Sequence, residues 1–301
     1  MGIQQNEPLP TREKELETLE KRYPIRYRTP RFVPIQFQIK GNALRIRFFV
    51  RYCKSMLENY PGTTTSYADI AEAGIRTNWS KKYPFPWLSD DGYERAHARA
   101  SFRVLTNEPD PSDKETEPEP PSVRVTFEFI RANNTKMAEQ YPKQRYVYFC
   151  MTSSELFPAH VISPIWRWFW GFFRTFQLES IQLNWSCRHP GKVKLARENS
   201  RHNFQQACAH EAGHLFGIGD AYGANYRFYY EAPGTAKYIM CHNRRVDPEE
   251  LDMALRAHLH NKMSFFPRKF SPRIYLLGFR RAFRLQFTRL SRIDKAHSVR
   301  K

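Results

Sequence analysis

The chain has 301 residues, with 48 Lys+Arg against 30 Asp+Glu, and so carries a formal net charge of +18. An apolar share of 41% with 15% aromatics excludes a wholly disordered chain, which buries too little surface to offset its conformational entropy. Thirteen Gly and 21 Pro in no short period exclude a collagen-like one. The charge invites a nucleic-acid or anionic-membrane reading, to be judged by where it sits.

Residues 1–31 are polar and charged, with a short helical pattern over 12–22, and read as an N-terminal arm. They hold no apolar core of a secretory signal, and no stretch is long and apolar enough to span a bilayer. The expectation is a cytosolic chain or one exported by a route that reads no cleavable signal, with a lean toward export. Val33, Ile35, Phe37 and Ile39 alternate, which predicts a strand. Ile46, Phe49, Val50, Cys53, Met56, Leu57 and Tyr60 recur at helical spacing, which predicts an amphipathic helix over 43–60. A short helix follows over 67–73, then strands over 101–106, 123–130, 145–151 and 180–185. Between the first two strands of that group, residues 107–122 hold six acids, five prolines and one lysine, an acidic flexible loop. Five widely spaced cysteines, Cys53, Cys150, Cys187, Cys208 and Cys241, form no CxxC pair. That excludes a Cys-rich zinc ribbon and argues against a full disulfide framework.

Ile165, Trp166, Trp168, Phe169, Trp170, Phe172, Phe173 and Phe176 are apolar all round a helix. Burial between layers is the expectation, with a wall of a substrate cleft or a membrane interface as the alternatives. A helix is then predicted over 201–217. With it the order of elements gives one α/β (α+β) domain over 32–263, on a mixed, mostly parallel twisted sheet.

That helix carries the chemistry. Residues 210–220 read HEAGHLFGIGD. His210 and His214, four apart, project from one face of a helix about a turn from each other, and two neutral imidazoles so placed can share a Zn²⁺ ion. Glu211 lies beside such an ion rather than on it, where a carboxylate can take a proton from an attacking water. Gly217 suits the helix end, and the chain can then turn back to bring Asp220 toward the same point. Two His and one Asp leave a fourth position open, as catalytic rather than structural zinc requires. At average residue usage a bare HExxH arises by chance in about one chain of this length in a hundred. The added Gly and Asp at fixed offsets make chance about two orders rarer.

HExxHxxGxxD resembles the extended zinc motif of the metzincin clan of metalloendopeptidases, in the less common form with Asp as third ligand. Tyr238-Ile239-Met240-Cys241 resembles the clan's Met-turn, which sets a Met side chain beneath the metal. The resemblance implies a metzincin-like catalytic domain with a backing helix and a zinc-binding helix. It also implies that His210, His214 and Asp220 bind Zn²⁺, that Glu211 is the general base, and that Met240 is the Met-turn residue. Where some members carry an oxyanion-stabilising Tyr, two residues after that Met, this chain has His242, with Tyr222 and Tyr238 as other donors. Two other zinc-peptidase patterns fit less well. In aspzincins the Asp lies in a GTxDxxYG segment, from which Asp220-Ala221-Tyr222-Gly223 departs. In gluzincins the third ligand is a Glu on a later helix, here Glu249 or Glu250 within a helical run over 248–260. Cys208 and Cys241 flank the motif as soft alternative ligands or buried small residues.

From 264 to 301 eleven basic residues stand against Asp294 alone, so ten of the eighteen net charges lie in this basic tail. Leu276, Phe279, Phe283, Phe287 and Leu290 make a helical stripe within it. Such a tail can bind an anionic membrane surface or an acidic partner, and its location argues against a nucleic-acid-binding domain. The sequence thus points to a monomeric zinc metalloendopeptidase acting on protein or peptide substrates. The other class of reading is a basic membrane- or partner-binding protein whose zinc site is structural or vestigial.

Overall fold

In a computed structural model the described residues are 26–40, 43–84, 122–132, 143–152, 158–176, 180–197, 200–222 and 234–266, with a few isolated positions between and beyond them. The expected helix over 12–22, strand over 101–106 and acidic loop over 107–121 lie outside these.

The protein is mixed α/β, organised on one eight-stranded sheet. β1 (Arg26–Arg28) and β2 (Ile35–Lys40) pair antiparallel with each other, and β2 pairs antiparallel with the long strand β3 (Ala43–Tyr52). Leu44, Ile46, Phe48, Val50 and Tyr52 alternate inward along β3 while Arg45, Arg47 and Arg51 sit between them. This corrects the expected helix over 43–60. The pattern has period two, and Phe49 mimics a helical repeat only because the far end of β3 is covered on both faces. Helix is confined to a short turn, α1 (Lys54–Leu57).

α2 (Tyr67–Trp79) starts on a capping box: the Ser66 hydroxyl accepts the Asp69 N–H at 3.1 Å, and the Asp69 carboxylate accepts the Ser66 N–H at 3.2 Å. β4 (Lys82–Pro84) then pairs antiparallel with β5 (Ser122–Arg131), which runs parallel to β3 from Ala43 to Val50. β6 (Val147–Met151) is parallel to the end of β3. Because Val50 faces Arg131 on β5 and Val147 on β6, those strands flank β3 on opposite edges, and β6 takes over where β2 stops. Past β6 come β8 (Lys192–Leu195), parallel to it, and β7 (His160–Ile162), antiparallel to β8 at the sheet's end. The centre is therefore parallel and the margins antiparallel, so the sheet is mixed rather than mostly parallel. Cys53 and Cys150, next in register after Tyr52 and Phe149, are joined by a disulfide, while Cys187, Cys208 and Cys241 are free and buried.

Residues 180–185 are not a strand. They form an irregular, partly buried segment in which the Trp185 indole donates to the Leu215 carbonyl at 2.9 Å. The strand expected there is β8, later in the chain. α3 (Trp168–Thr175), entered through a 3-10 turn at Ile165–Arg167, also departs from expectation. Its aromatic face is not in the core: Ile165, Trp166, Phe169, Trp170, Phe173 and Phe176 are each between 65% and 76% exposed.

α4 (Arg201–Leu215) packs along α2, tied by a hydrogen bond from the Trp79 indole to the Ala209 carbonyl at 2.9 Å. Just past α4, Phe216 fills the gap between helices and sheet, with Phe37, Phe48, Phe127 and Trp79 around its ring at centroid distances of 4.8–6.1 Å. Five such rings remove several hundred Å² of apolar surface from water and fix α4 on its layer. A turn, α5 (Ile239–His242), and α6 (Pro248–His260) complete the described elements up to the tail. In the tail, Leu276 and Leu277 are exposed; most of the expected amphipathic stripe lies outside the described residues.

Candidate metal centre

α4 is capped at its start by the Ser200 hydroxyl, which accepts the Asn203 N–H at 3.4 Å. It ends in a Schellman turn, with the Gly217 N–H donating to the His214 carbonyl and the Ile218 N–H to the Gly213 carbonyl, both at 3.0 Å. Gly217 has φ +87°, and a β-carbon there would also meet the Trp185 ring and Ala257 at 2.8 Å. Only glycine satisfies both demands. The chain then reverses and is pinned on both sides. The Gly219 N–H donates to the Ser264 carbonyl at 2.8 Å, and the Ala221 N–H to the Met240 carbonyl at 2.9 Å. Asp220 sits between these two anchors.

His210, His214 and Asp220 come together with one ligand atom each inside 4.8 Å. Oδ1 of Asp220 lies 3.1 Å from His210 Nε2 and 3.4 Å from His214 Nε2. The other ring nitrogens face carbonyls: His210 Nδ1 is 2.8 Å from the Ile239 oxygen, and His214 Nδ1 is 2.9 Å from the Ile218 oxygen. A carbonyl only accepts, so each Nδ1 carries the proton and each Nε2 turns toward Asp220. The edge of a zinc tetrahedron with bonds of 2.0–2.1 Å is roughly 3.3 Å, close to these separations. The residues fit a metal of that kind.

Without a metal the same atoms form a charge pair. Burial would lower the His214 pKa, but the Asp220 carboxylate outweighs it and raises it to about 10. Burial would likewise raise the Asp220 carboxyl, yet the charge of His214 and the hydrogen bonds from both imidazoles hold it well below the carboxylate range. Glu211, one residue from His210, is buried, and its Oε2 has no hydrogen-bond partner among the described residues. Burial raises its pKa, against the pull of His214 and His210. An orphaned buried carboxylate oxygen beside convergent ring nitrogens is costly to keep, and a bound ion or water is what would satisfy it.

Met240 is fully buried with its sulfur against Gly213, on the turn of α4 between the two histidines. Its turn is held by Glu250, whose carboxylate accepts N–H groups from Met240 at 2.8 Å, Ile239 at 3.4 Å and Asp247 at 2.8 Å. Tyr222 stacks on His210 with ring centroids 6.1 Å apart. His160 on β7 is close enough to bear on the charge of Glu211.

Of the other ligands and donors that the sequence offers, Tyr238, Glu249 and Glu250 are engaged elsewhere. The Tyr238 hydroxyl donates to Glu249 at 2.8 Å, which occupies both groups. Glu250 serves backbone donors, so neither Glu of α6 joins the histidines. Cys208 and Cys241 are buried outside the cluster, and burial pushes the Cys208 thiol well up. His242 ends α5 in an exposed position, outside the three-residue cluster. The supporting roles of the Ile218 and Ile239 carbonyls leave no mark in sequence. That of Glu250 does: Asp247-Pro248-Glu249-Glu250 is a capping-box signature.

Compared with protein-family models, curated proteins and solved structures, the chain has no match in any of the three.

Proposed function

We propose that the chain is a zinc-dependent metalloendopeptidase of metzincin type, hydrolysing peptide bonds of protein substrates. One observation carries this reading: both imidazoles are locked by backbone carbonyls so that Nε2 of each meets the Asp220 carboxylate, beside a buried Glu211 oxygen without a partner among the described residues. His210, His214 and Asp220 would hold Zn²⁺, with Met240 packed beneath. When bound, the ion supplies Lewis-acid polarisation of a scissile carbonyl and acidifies a water. Glu211, its pKa raised by burial, takes the proton from the attacking water and passes it to the leaving amine nitrogen. His242, on the turn that follows Met240, is the candidate donor to the developing oxyanion. β7 lies at the end of the sheet, and an extended peptide could add to it there, near His160 and Glu211.

A second reading is favoured by the His214–Asp220 charge pair, which satisfies these groups without a metal. In it the protein is a basic membrane- or partner-binding molecule with a vestigial site. Metal analysis of purified protein together with a peptide-cleavage assay separates the two. The peptidase reading expects about one zinc per chain and cleavage abolished by chelators and restored by Zn²⁺. A metal-free chain that does not take up zinc supports the second reading.

A further inference from the structure

α3 is mounted backwards for a core helix. Its inner side carries Gly171 and Thr175, with Trp168 and Phe172 half-buried beside them. A β-carbon on Gly171 would run into the Ser180 carbonyl, so the helix backbone lies directly on the body of the protein. The Trp168 indole donates to the Ser163 carbonyl at 2.8 Å, and Arg174 donates to the Asn261 carbonyl at 2.7 Å. Its outer side is aromatic: Trp166, Phe169, Trp170 and Phe173 follow the i, i+3, i+4, i+7 rule and stand in solvent, with Ile165 and Phe176 extending the patch. Phe176 is held there at φ +56°, a conformation that residues with a β-carbon avoid.

Among the described residues, the charges identified around this patch are positive. Arg167 stacks its guanidinium over the Trp166 ring at 5.5 Å. Arg174 and Arg145 lie close enough to Arg167 to oppose its charge in addition to its burial, and Arg145 and Arg188 do the same to His189. None of the four arginines is in an ion pair among the described residues. Arg145, Arg174 and Arg188 are exposed.

The occupant of such a face must be both apolar and anionic. A second copy in a two-fold arrangement would press one arginine rim against the other. The basic segment 264–301 meets the same repulsion, and the acidic segment 107–122 offers charge but, its prolines apart, no aromatic or aliphatic side chain. A lipid surface offers both at once. Trp and Phe suit its interface, and arginines its headgroups. No helix among the described residues is long and apolar enough to cross a membrane, so the helix would lie in the surface plane.

We propose that the aromatic face of α3, with its rim of the exposed Arg145, Arg174 and Arg188, docks the protein on an anionic lipid membrane. The test is flotation of the full chain with phosphatidylcholine vesicles, with and without phosphatidylserine. The chain should float with the anionic vesicles, and high salt should release it. Replacing Trp166, Phe169 and Trp170 by Ser should lower the partition coefficient by about tenfold per side chain, with the thermal melt checked for an intact fold. An Arg145→Gln, Arg188→Gln variant should lose much of its preference for anionic over neutral lipid. Four results would overturn the proposal. These are no flotation, full flotation of the aromatic variant (which assigns binding to 264–301), stronger binding to soluble polyglutamate than to vesicles, or a dimer that the aromatic variant dissolves.

Discussion

Glu250 is the hidden support of the candidate site: wholly buried at the start of α6, it accepts the Met240 N–H at 2.8 Å and so fixes the turn that lies under the two histidines. The same carboxylate closes the α6 capping box through Asp247, so one side chain ties helix, turn and site together. Removing it strands three backbone N–H groups in the interior. Glu250→Ala should cost about 2–4 kcal/mol of stability, read from urea melts. Burial raises the Glu250 pKa to about 8. A raised carboxyl favours the protonated fold, so wild type should lose stability relative to Glu250→Gln as pH rises from the unfolded value of 4.5 through about 8. A pH-independent difference between the two would contradict this.

Gly213 tests the packing of Met240. Alanine is normally the better helix former by about 1 kcal/mol, yet a β-carbon at 213 would collide with the Met240 sulfur. Gly213→Ala should therefore destabilise by about 1–2 kcal/mol, and shortening Met240 to Ala in the same chain should relieve that part of the cost. The double-mutant cycle reads the coupling directly. Gly213→Ala melting above wild type would place Met240 elsewhere.

On the zinc reading, the His214–Asp220 pair would set the pH dependence of metal uptake. In the metal-free protein His214 is protonated to about pH 10, so a metal must displace that proton. Zinc binding near neutral pH should release about one proton from His214, and affinity should rise with pH. The raised His214 pKa means that the pair's support for the metal-free fold is lost as pH rises from 6.5 through about 10. The lowered Asp220 pKa means that it is also lost in acid, below the ordinary carboxylate value of 3.8. Calorimetry in buffers of different ionisation enthalpy counts the protons. A count of zero would mean that His214 is neutral before zinc arrives.

Local chemistry in this chain is legible in its sequence, and long-range placement is not. The HExxH spacing, Gly217 as terminator of α4 and the return of Asp220 follow from helix geometry and glycine's freedom, both local. β2, β5 and β6 are legible as strands and α6 as a helix, whereas of α2 only the first half, 67–73, is legible. β3 is not, because Phe49 is buried on the face opposite Phe48 and Val50 and so disguises a period of two. α3 misleads for a related reason: an aromatic run looks like core to any local rule, and only the contact of Gly171 with Ser180 turns its face outward. The register that joins Cys53 to Cys150, and the carbonyls of Ile218 and Ile239 that orient the histidines, belong to segments brought together by the sheet and the reversal after Gly217.

The most direct measurement is peptide cleavage by wild type and Glu211→Gln at matched zinc occupancy. Glu211 is not a ligand in this reading, so the variant should bind zinc as wild type does. It should also lose cleavage by at least about two orders of magnitude, the usual worth of a positioned base. Equal cleavage by the two proteins, or a wild type that holds zinc and cleaves nothing from a broad peptide library, would contradict the peptidase reading.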